Sequence, residues 1–231
     1  MELATAALLI AVPIGFNVAF FELGRTFDYP NILREPPGEV LRRFDAGGTS
    51  LLLRWQGLLT SALAMLPLVA LLAVALDADP ALTVTGVVIG SAAAVVQVLG
   101  LVRWPFAVPE LARRYVAAEG PEPEAAASRE TIEVVFATLN RLLGVGIGEH
   151  LGYLLTGLWT VLVATSIVST TAIAPWLGWI GLPIGAALLL GSLEFVGANE
   201  KAGWKFAGTI VPIAYVAWSV WLIALGMGLI L

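Results

Sequence analysis

The only histidine of the chain, His150, follows directly after the carboxylate of Glu149, inside an apolar stretch that covers residues 144–160. Glutamate and histidine are both common general acids and bases, so the pair could move a proton. Consecutive residues point about 100° apart around a helix, and the two side chains therefore need not share a partner. Ionisable residues within a membrane-spanning helix are costly, which makes this pair the first candidate for a functional site.

Other polar side chains are expected at the same depth as this pair. Tyr153 and Thr156 follow Glu149 at helical spacing and extend its face into a polar stripe. Polar residues also occur near one end of the other apolar stretches, so the protein is predicted to be polar in one half and apolar in the other. The candidate pocket in the polar half is expected to be lined by Glu149, His150, Tyr153, Glu194, Arg103, Arg54, Asn17 and Gln97.

Three glycines in the same stretch, Gly144, Gly148 and Gly152, are spaced four residues apart. Small residues at this spacing form a groove in which another helix can approach closely. The spacing therefore predicts a packing face as well as a polar stripe.

Several familiar chemistries lack the residues that they need. With one histidine and no cysteine, the chain cannot form a conventional zinc site or a haem site with two axial ligands, and no metal and no cofactor is predicted. The motifs of P-loop nucleotide hydrolases, HExxH metalloproteases and GxSxG esterases do not occur. The basic residues are spread over several connections, so no nucleic-acid partner is expected.

The composition indicates which elements must position these residues. Hydrophobic residues make up 59% of the chain and charged residues only 13%, against about 25% charged residues in a soluble domain. Apolar runs close to the roughly 20 residues needed to cross a bilayer recur along the chain. The sequence therefore predicts a polytopic membrane protein whose main partner is the lipid bilayer. The first run has no basic segment before it, and we interpret it as a span rather than a secretory signal.

The apolar runs are continuous and do not alternate with polar residues, which argues against transmembrane β-strands and leaves helices that satisfy their own backbone in lipid. We predict an all-α fold, a single integral-membrane domain over residues 1–231. It is a polytopic transmembrane helix bundle of six spans with amphipathic cytoplasmic helices. The spans are expected at residues 3–23, 51–76, 81–101, 147–169, 175–197 and 206–231.

The basic residues predict which way the bundle lies in the membrane. All 12 lysines and arginines fall in or beside the first, third and fifth connections, whereas the second (residues 77–80), the fourth (residues 170–174) and both termini carry none. By the positive-inside rule, the basic side is cytoplasmic and both termini face outwards.

Tryptophans support the same orientation, because their amphipathic rings prefer the two membrane interfaces. We expect Trp55, Trp104 and Trp204 at the inner interface. Trp176 and Trp179 are expected at the outer one.

The cytoplasmic connections are expected to contain amphipathic helices. A short helix is predicted at residues 39–45 in the first connection. In the third, residues 105–116 are expected to lie in the interface, followed by an exposed linker rich in Glu, Pro and Ala at residues 118–127. Ser128 could then cap a separate helix over residues 129–143, whose apolar residues repeat at helical spacing.

Four short segments stand out when the chain is taken as a whole: FDYP at 27–30 with Ile32 and Leu33 after it, GEHLGY at 148–153, PWLGWIG at 175–181 and GSLEF at 191–195. In combination they resemble an uncharacterised bacterial family of multi-pass membrane proteins, of the kind classed as a domain of unknown function. The resemblance covers nearly the whole chain and implies a six-span protein of the bacterial inner membrane. It implies no activity, no cofactor and no catalytic residue.

Three functions remain open on the sequence alone. The first is a small scaffold or accessory membrane protein, whose carboxylates and guanidinium groups pair with one another for structural reasons. The second is a binder or carrier of a lipid or small amphiphile, with a pocket on the cytoplasmic side. The third is a membrane enzyme that uses Glu149 or His150 as a base. A homo-oligomer, or a protein partner at the cytoplasmic face, also remains open.

Overall fold

The computed structural model describes residues 1–230, which form helices joined by short turns and contain no β-strand. The predicted all-helical fold is therefore confirmed. Within this range the α-helices are α1 Glu2–Phe27, α2 Pro37–Leu63, α3 Met65–Leu76, α4 Pro80–Leu101, α5 Arg103–Phe106, α6 Val108–Ala117, α7 Pro123–Leu139, α8 Gly152–Ser169, α9 Pro175–Gly191 and α10 Lys205–Gly228. A π-helix, Asn140–Leu151, joins α7 to α8, and short 3₁₀ turns lie at Asn31–Arg34 and Gly197–Asn199.

Five continuous helical segments within residues 1–230 are long and apolar enough to cross a membrane. They are Glu2–Phe27, Pro37–Leu76, Pro80–Ala117, Pro123–Ser169 and Lys205–Gly228. The protein is therefore an integral membrane protein, as predicted. Helix α9 coincides with the remaining predicted span, but it is shorter, with 17 residues. The last residue of the span predicted at 206–231, Leu231, lies outside the described residues.

The third connection differs from its prediction. Residues 105–116 fall in α5 and α6, which follow α4 directly and form one continuous helical segment with it. The linker expected at 118–127 is shorter, because α7 already begins at Pro123; proline suits the first turn of a helix, and the glutamates and alanines after it favour helix. Ser128 therefore lies inside α7 and does not cap it. Residues 129–143 are helical, as predicted, but they do not form a separate helix, since α7 continues through the π-helix into α8.

Two residues break the second helical segment. Gly48 has φ 53° and ψ −151°, a backbone conformation that residues with a Cβ rarely adopt, and α2 kinks there. The part of α2 before this kink contains the helix predicted at residues 39–45, which is thus confirmed. Pro67 has no N–H to donate to the carbonyl of Leu63, and α2 ends at that leucine.

The connections that contain the lysines and arginines lie at one end of the bundle, where α1 ends and α2 begins; we call it the basic end. Polar contacts hold its elements together. Arg42 Nε lies 2.7 Å from Glu119 Oε1, which joins α2 to the turn after α6. The Tyr115 hydroxyl of α6 donates to Glu133 Oε1 of α7 at 2.7 Å.

Helices α8 and α9 pack antiparallel at close range. A Cβ on Gly157 would lie 2.8 Å from the carbonyl oxygen of Gly185. Further along, a Cβ on Gly178 would lie 2.6 Å from the carbonyl oxygen of Ala164. Glycines therefore let α9 run beside α8 over most of the length of both helices.

An aromatic cluster fills the core of the basic end and consists of Phe27, Phe44, Trp55, Trp104 and Phe136. The rings of Trp55 and Trp104 stack in parallel, with centroids 4.3 Å apart and 7° between their planes. Both tryptophans are fully buried. The prediction that they act as anchors at the membrane interface was therefore wrong, because an interfacial ring must reach the lipid headgroups.

Candidate functional site

A cavity of about 280 Å³ lies between α1, α4, the π-helix, α8 and α10, on the side nearer the basic end. Its volume is close to the lower end of the range for small-molecule sites, roughly 300–1,000 Å³. One part of its wall is apolar and includes Phe16, Phe20, Pro30, Leu58, Leu101, Val211, Pro212 and Val216. The other part is polar and includes Asn17, Tyr29, Gln97, Arg103, Glu149, Tyr153, Tyr215 and Ser219.

Five of the eight residues predicted for the pocket line this cavity. They are Asn17, Gln97, Arg103, Glu149 and Tyr153. The other three do not line it, and the structure shows what each of them contacts instead.

His150 contacts the turn after α9. Its Nδ1 lies 2.6 Å from the carbonyl oxygen of Ser192, and because a carbonyl oxygen only accepts, Nδ1 carries the hydrogen. Glu149 faces the cavity. The two neighbours therefore have different surroundings, and they do not form an acid–base pair around one partner.

Arg54 and Glu194 also lie outside the cavity wall. Arg54 Nη1 donates to Ser50 Oγ at 2.6 Å, and its Nε is 3.6 Å from Glu22 Oε2. The Glu194 carboxylate packs beside α10, where a Cβ on Gly208 would lie 2.8 Å from its Oε1. Both side chains thus serve contacts between helices.

Arg103 is held in place by protein groups. It is only 5% exposed, its Nη1 donates to the carbonyl oxygen of Gly100, and its Nη2 donates to Asn140 Oδ1 at 3.0 Å. Its guanidinium also lies 5.1 Å from the centre of the Trp104 ring, within the range of a cation–π contact. The Nε atom is enclosed and has no partner among the described residues.

The three glycines of the predicted groove position the π-helix against α4 and α5. A Cβ on Gly152 would lie 3.0 Å from Gln97 Nε2, and one on Gly144 would lie 2.7 Å from Arg103 Nη2. Between them, Gly148 meets Gly100, where the backbones touch. The predicted close approach of a helix to this face is therefore confirmed.

Glu149 occupies the polar wall without a partner. Its side chain lines the cavity, and its carboxylate makes no hydrogen bond or ion pair with other residues in the described part of the chain. The Glu22 carboxylate is different, because it lies 3.6 Å from both Arg25 and Arg54. Of these two acidic groups in the polar half, only Glu149 faces an open space.

Two tyrosines of the cavity were not predicted from the sequence. Tyr29 lies in the turn after α1 and Tyr215 lies in α10. Burial raises the pKa of Tyr29 to about 12, so its hydroxyl remains a hydrogen-bond donor at neutral pH. Tyr215 accepts a hydrogen bond from Gln97 Nε2 at 3.1 Å, and its ring lies edge-on to Tyr153, with centroids 5.5 Å apart.

The cavity reaches the surface of the bundle between α1 and α10. Phe20 and Val216 both line it and are 36% and 60% exposed. About one turn away on the two helices, Asn17 Nδ2 donates to Ser219 Oγ at 2.9 Å and closes the gap. Because α1 and α10 are both long and apolar enough to cross a membrane, we expect this opening to face the lipid.

Among residues 1–230, no group of three or more His, Asp and Glu side chains is arranged to hold a metal ion. The cavity offers instead carboxylate, guanidinium, hydroxyl and amide groups next to apolar side chains. This arrangement suits an organic molecule with one polar end.

The fold and the cavity together define a helical integral membrane protein with a polar site inside its bundle. Residues 4–226 match the family described as Domain of unknown function (DUF4386). Because the match spans nearly the whole chain, the protein belongs to this family, and the resemblance seen in the four short segments is confirmed. No curated protein matches the chain, and no solved structure matches it.

Proposed function

We propose that this protein binds a lipid or another small amphiphile in the cavity. The polar end of the ligand lies against Glu149 and the tyrosines, and its apolar chain leaves between α1 and α10. One observation carries the proposal: an unpaired carboxylate lies in a cavity whose wall combines polar and apolar side chains, with the apolar Phe20 and Val216 exposed at its edge. An amphiphile has the same division into a polar and an apolar part.

The contacts of the charged groups favour this function over a purely structural layer. In a structural layer we expect buried charges to be paired, because an unpaired buried charge is strongly unfavourable. Glu22, Arg25 and Arg54, which are partly exposed, do pair with one another. Glu149 does not, and a ligand would supply the partner that the protein lacks.

A membrane enzyme has less support. A base needs to lie within reach of the group that it deprotonates, and His150 is directed at the backbone of Ser192 rather than into the cavity. Glu149 alone remains as a candidate base. Binding is therefore the function that the geometry supports best.

The space near the cavity also suits an apolar chain. A second cavity of about 40 Å³ shares Phe16, Gln97 and Tyr215 with the first and is otherwise mainly apolar. Gln97 and Tyr215 are hydrogen-bonded to each other, so a small movement of this pair would join the two spaces. We propose that a longer apolar chain uses this additional volume.

We further propose six crossings of a bacterial inner membrane, with the basic end in the cytoplasm and both termini outside. Helix α9 is about 25 Å long at 1.5 Å per residue, somewhat less than the roughly 30 Å of a hydrocarbon core. Its close antiparallel packing along α8 supports a sixth crossing. The absence of lysine and arginine from residues 77–80 and 170–174 supports the orientation.

The orientation can be tested with single cysteines, because the chain has none of its own. In intact cells, we expect Ala78→Cys to react with a membrane-impermeant thiol reagent and Glu122→Cys to react only after the cells are lysed. Position 78 lies in a connection without basic residues, and position 122 lies at the basic end. Labelling of position 122 but not position 78 in intact cells would reverse the orientation.

Ligand binding can be tested by closing the opening of the cavity. We expect native mass spectrometry of the wild-type protein, released from nanodiscs made of the cell membrane, to show an added mass in the range of a lipid or small amphiphile. Val216→Trp should lose this mass, because the larger ring fills the gap between α1 and α10.

Val220→Trp is the matched control for this experiment. Val220 lies one turn along α10, is similarly exposed at 62%, and does not line the cavity. The control should keep the added mass. Loss of the mass from both variants, or from neither, would contradict binding in this cavity.

A further inference from the structure

The cavity wall contains two charged groups, Arg103 and Glu149, and their contacts indicate the chemical class of head group that the cavity binds. Arg103 is satisfied in part by the carbonyl oxygen of Gly100 and by Asn140 Oδ1, and it lies against Trp104. Its remaining unpartnered atom, Nε, is enclosed and cannot be reached from the cavity. Glu149 has no such contacts. Of the two charged groups in this wall, Glu149 is therefore the one that makes no hydrogen bond with the protein.

A neutral residue of the wall, Asn17, also favours a head group that donates hydrogen bonds. Asn17 Nδ2 donates both to the carbonyl oxygen of Pro13 at 2.7 Å and to Ser219 Oγ at 2.9 Å. Because the carbonyl of Pro13 can only accept, the amide orientation is fixed, and the Oδ1 of Asn17 is left without a hydrogen bond to the protein. This oxygen and the Glu149 carboxylate are both acceptors.

Aromatic rings form much of the remaining wall of the cavity. Tyr153 and Tyr215 meet edge to face with centroids 5.5 Å apart, and Phe20 and Tyr29 do so at 5.3 Å. The faces of such rings attract cations, and several rings around one site are a known way to bind an ammonium group.

We propose that the head group bound in the cavity is a cationic ammonium, with Glu149 as its counter-ion and the tyrosines as its aromatic walls. This inference rests on the proposed function and assigns the class of ligand to the same site. Two kinds of molecule carry such a group in a membrane: an aminophospholipid, and a free amphiphilic amine. The preference of the cavity for an ammonium group follows from charge pairing with Glu149, because hydrogen bonds between charged groups are stronger than those between neutral groups.

The experiment compares probes that share one chain and differ in charge. Wild-type protein in nanodiscs is titrated with dodecylammonium, with dodecanol and with dodecyl sulfate, and bound probe is counted by native mass spectrometry. We expect dodecylammonium to bind at least about ten-fold more tightly than dodecanol, the effect of one charge-assisted hydrogen bond. Dodecyl sulfate should bind most weakly.

Variants then test whether Glu149 carries the preference. Glu149→Gln removes the charge and keeps the shape, and Glu149→Leu removes the polar group altogether, which provides a folded variant if the amide is tolerated poorly. Both should bind dodecylammonium and dodecanol with similar affinity. Glu22→Gln removes a carboxylate that is paired outside the cavity wall, and this control should keep the wild-type preference.

The outcomes distinguish a failure of the ammonium assignment from a failure of amphiphile binding, on which that assignment rests. If the wild-type protein binds dodecanol and dodecylammonium equally, and Val216→Trp blocks both, the cavity binds amphiphiles but the ammonium assignment is overturned. A preference that survives in both Glu149 variants overturns the assignment as well. If no probe binds, the proposed function itself fails.

The source of the ammonium group is distinguished by nanodiscs of defined composition. Retention of phosphatidylethanolamine over phosphatidylglycerol by the wild-type protein, but not by Glu149→Gln, would assign the site to an aminophospholipid. Tight binding of dodecylammonium without a preference between these two lipids would assign it to a free amphiphilic amine.

Discussion

Replacing Trp104 with alanine is expected to lower the free energy of unfolding by about 3–5 kcal/mol, the usual effect of removing a fully buried tryptophan. The ring stacks on Trp55 and lies 5.7 Å from Phe27 and 5.9 Å from Phe44, measured between ring centroids. Its loss leaves a hole at the centre of the aromatic cluster, where α2, α5 and α7 meet. Thermal and denaturant unfolding of the purified protein in detergent measures the effect.

Two further variants make this prediction specific. The indole N–H of Trp104 has no partner among the described residues, so Trp104→Phe, which removes that group and keeps most of the ring, should destabilise much less than alanine. Trp176→Ala removes an equally large side chain that is 58% exposed, and its effect should be small. Equal losses for Trp104→Ala and Trp176→Ala would mean that the cluster does not hold the basic end together.

Replacing Gly100 with alanine is expected to destabilise the protein by about 1–3 kcal/mol through overpacking. The new Cβ would lie 2.7 Å from Gly148 Cα and 3.1 Å from the carbonyl oxygen of Leu143. These are backbone atoms and cannot rotate away, so the π-helix must move. Glu149 follows Gly148 directly, and we therefore expect this variant to retain less of the co-purified ligand as well.

Gly86→Ala is the matched control on the same helix. Gly86 is buried, but a Cβ there would meet no atom within 4 Å. Alanine also has a higher helix propensity than glycine, so the control should be as stable as the wild-type protein or slightly more stable. Similar melting temperatures for Gly86→Ala and Gly100→Ala would contradict the close contact between α4 and the π-helix.

Much of the fold follows from local sequence patterns. The apolar runs predict helices, and the glycines at positions 144, 148 and 152 predict the close approach that α4 makes. The continuity of α7, the π-helix and α8 does not follow from such patterns, because Ser128 and the Glu/Pro/Ala segment resemble the start of a separate helix. The burial of Trp55 and Trp104 depends on how distant segments meet, which the preference of single residues for an interface does not reveal.

The candidate site could be predicted only in part, because some of its residues stand out in the sequence and others come together only in the folded protein. Asn17, Gln97 and Glu149 are polar residues in apolar helices, and this contrast is visible in the sequence. Tyr29 lies in a turn that reaches the cavity only in the folded protein, and Tyr215 resembles other aromatic residues of a span. His150 was predicted to line the pocket with Glu149, but the two side chains point about 100° apart, and His150 contacts the turn after α9 instead.

Native mass spectrometry of the wild-type protein, released from nanodiscs made of its own membrane, tests the central claim most directly. If the cavity binds an amphiphile, the spectrum will show the protein with one discrete additional mass that survives gentle activation and is lost at higher energy. The exact mass will identify the ligand and show whether it carries an amine. A spectrum that contains only the bare protein, under conditions that keep the protein folded, would contradict the claim and favour the structural alternative.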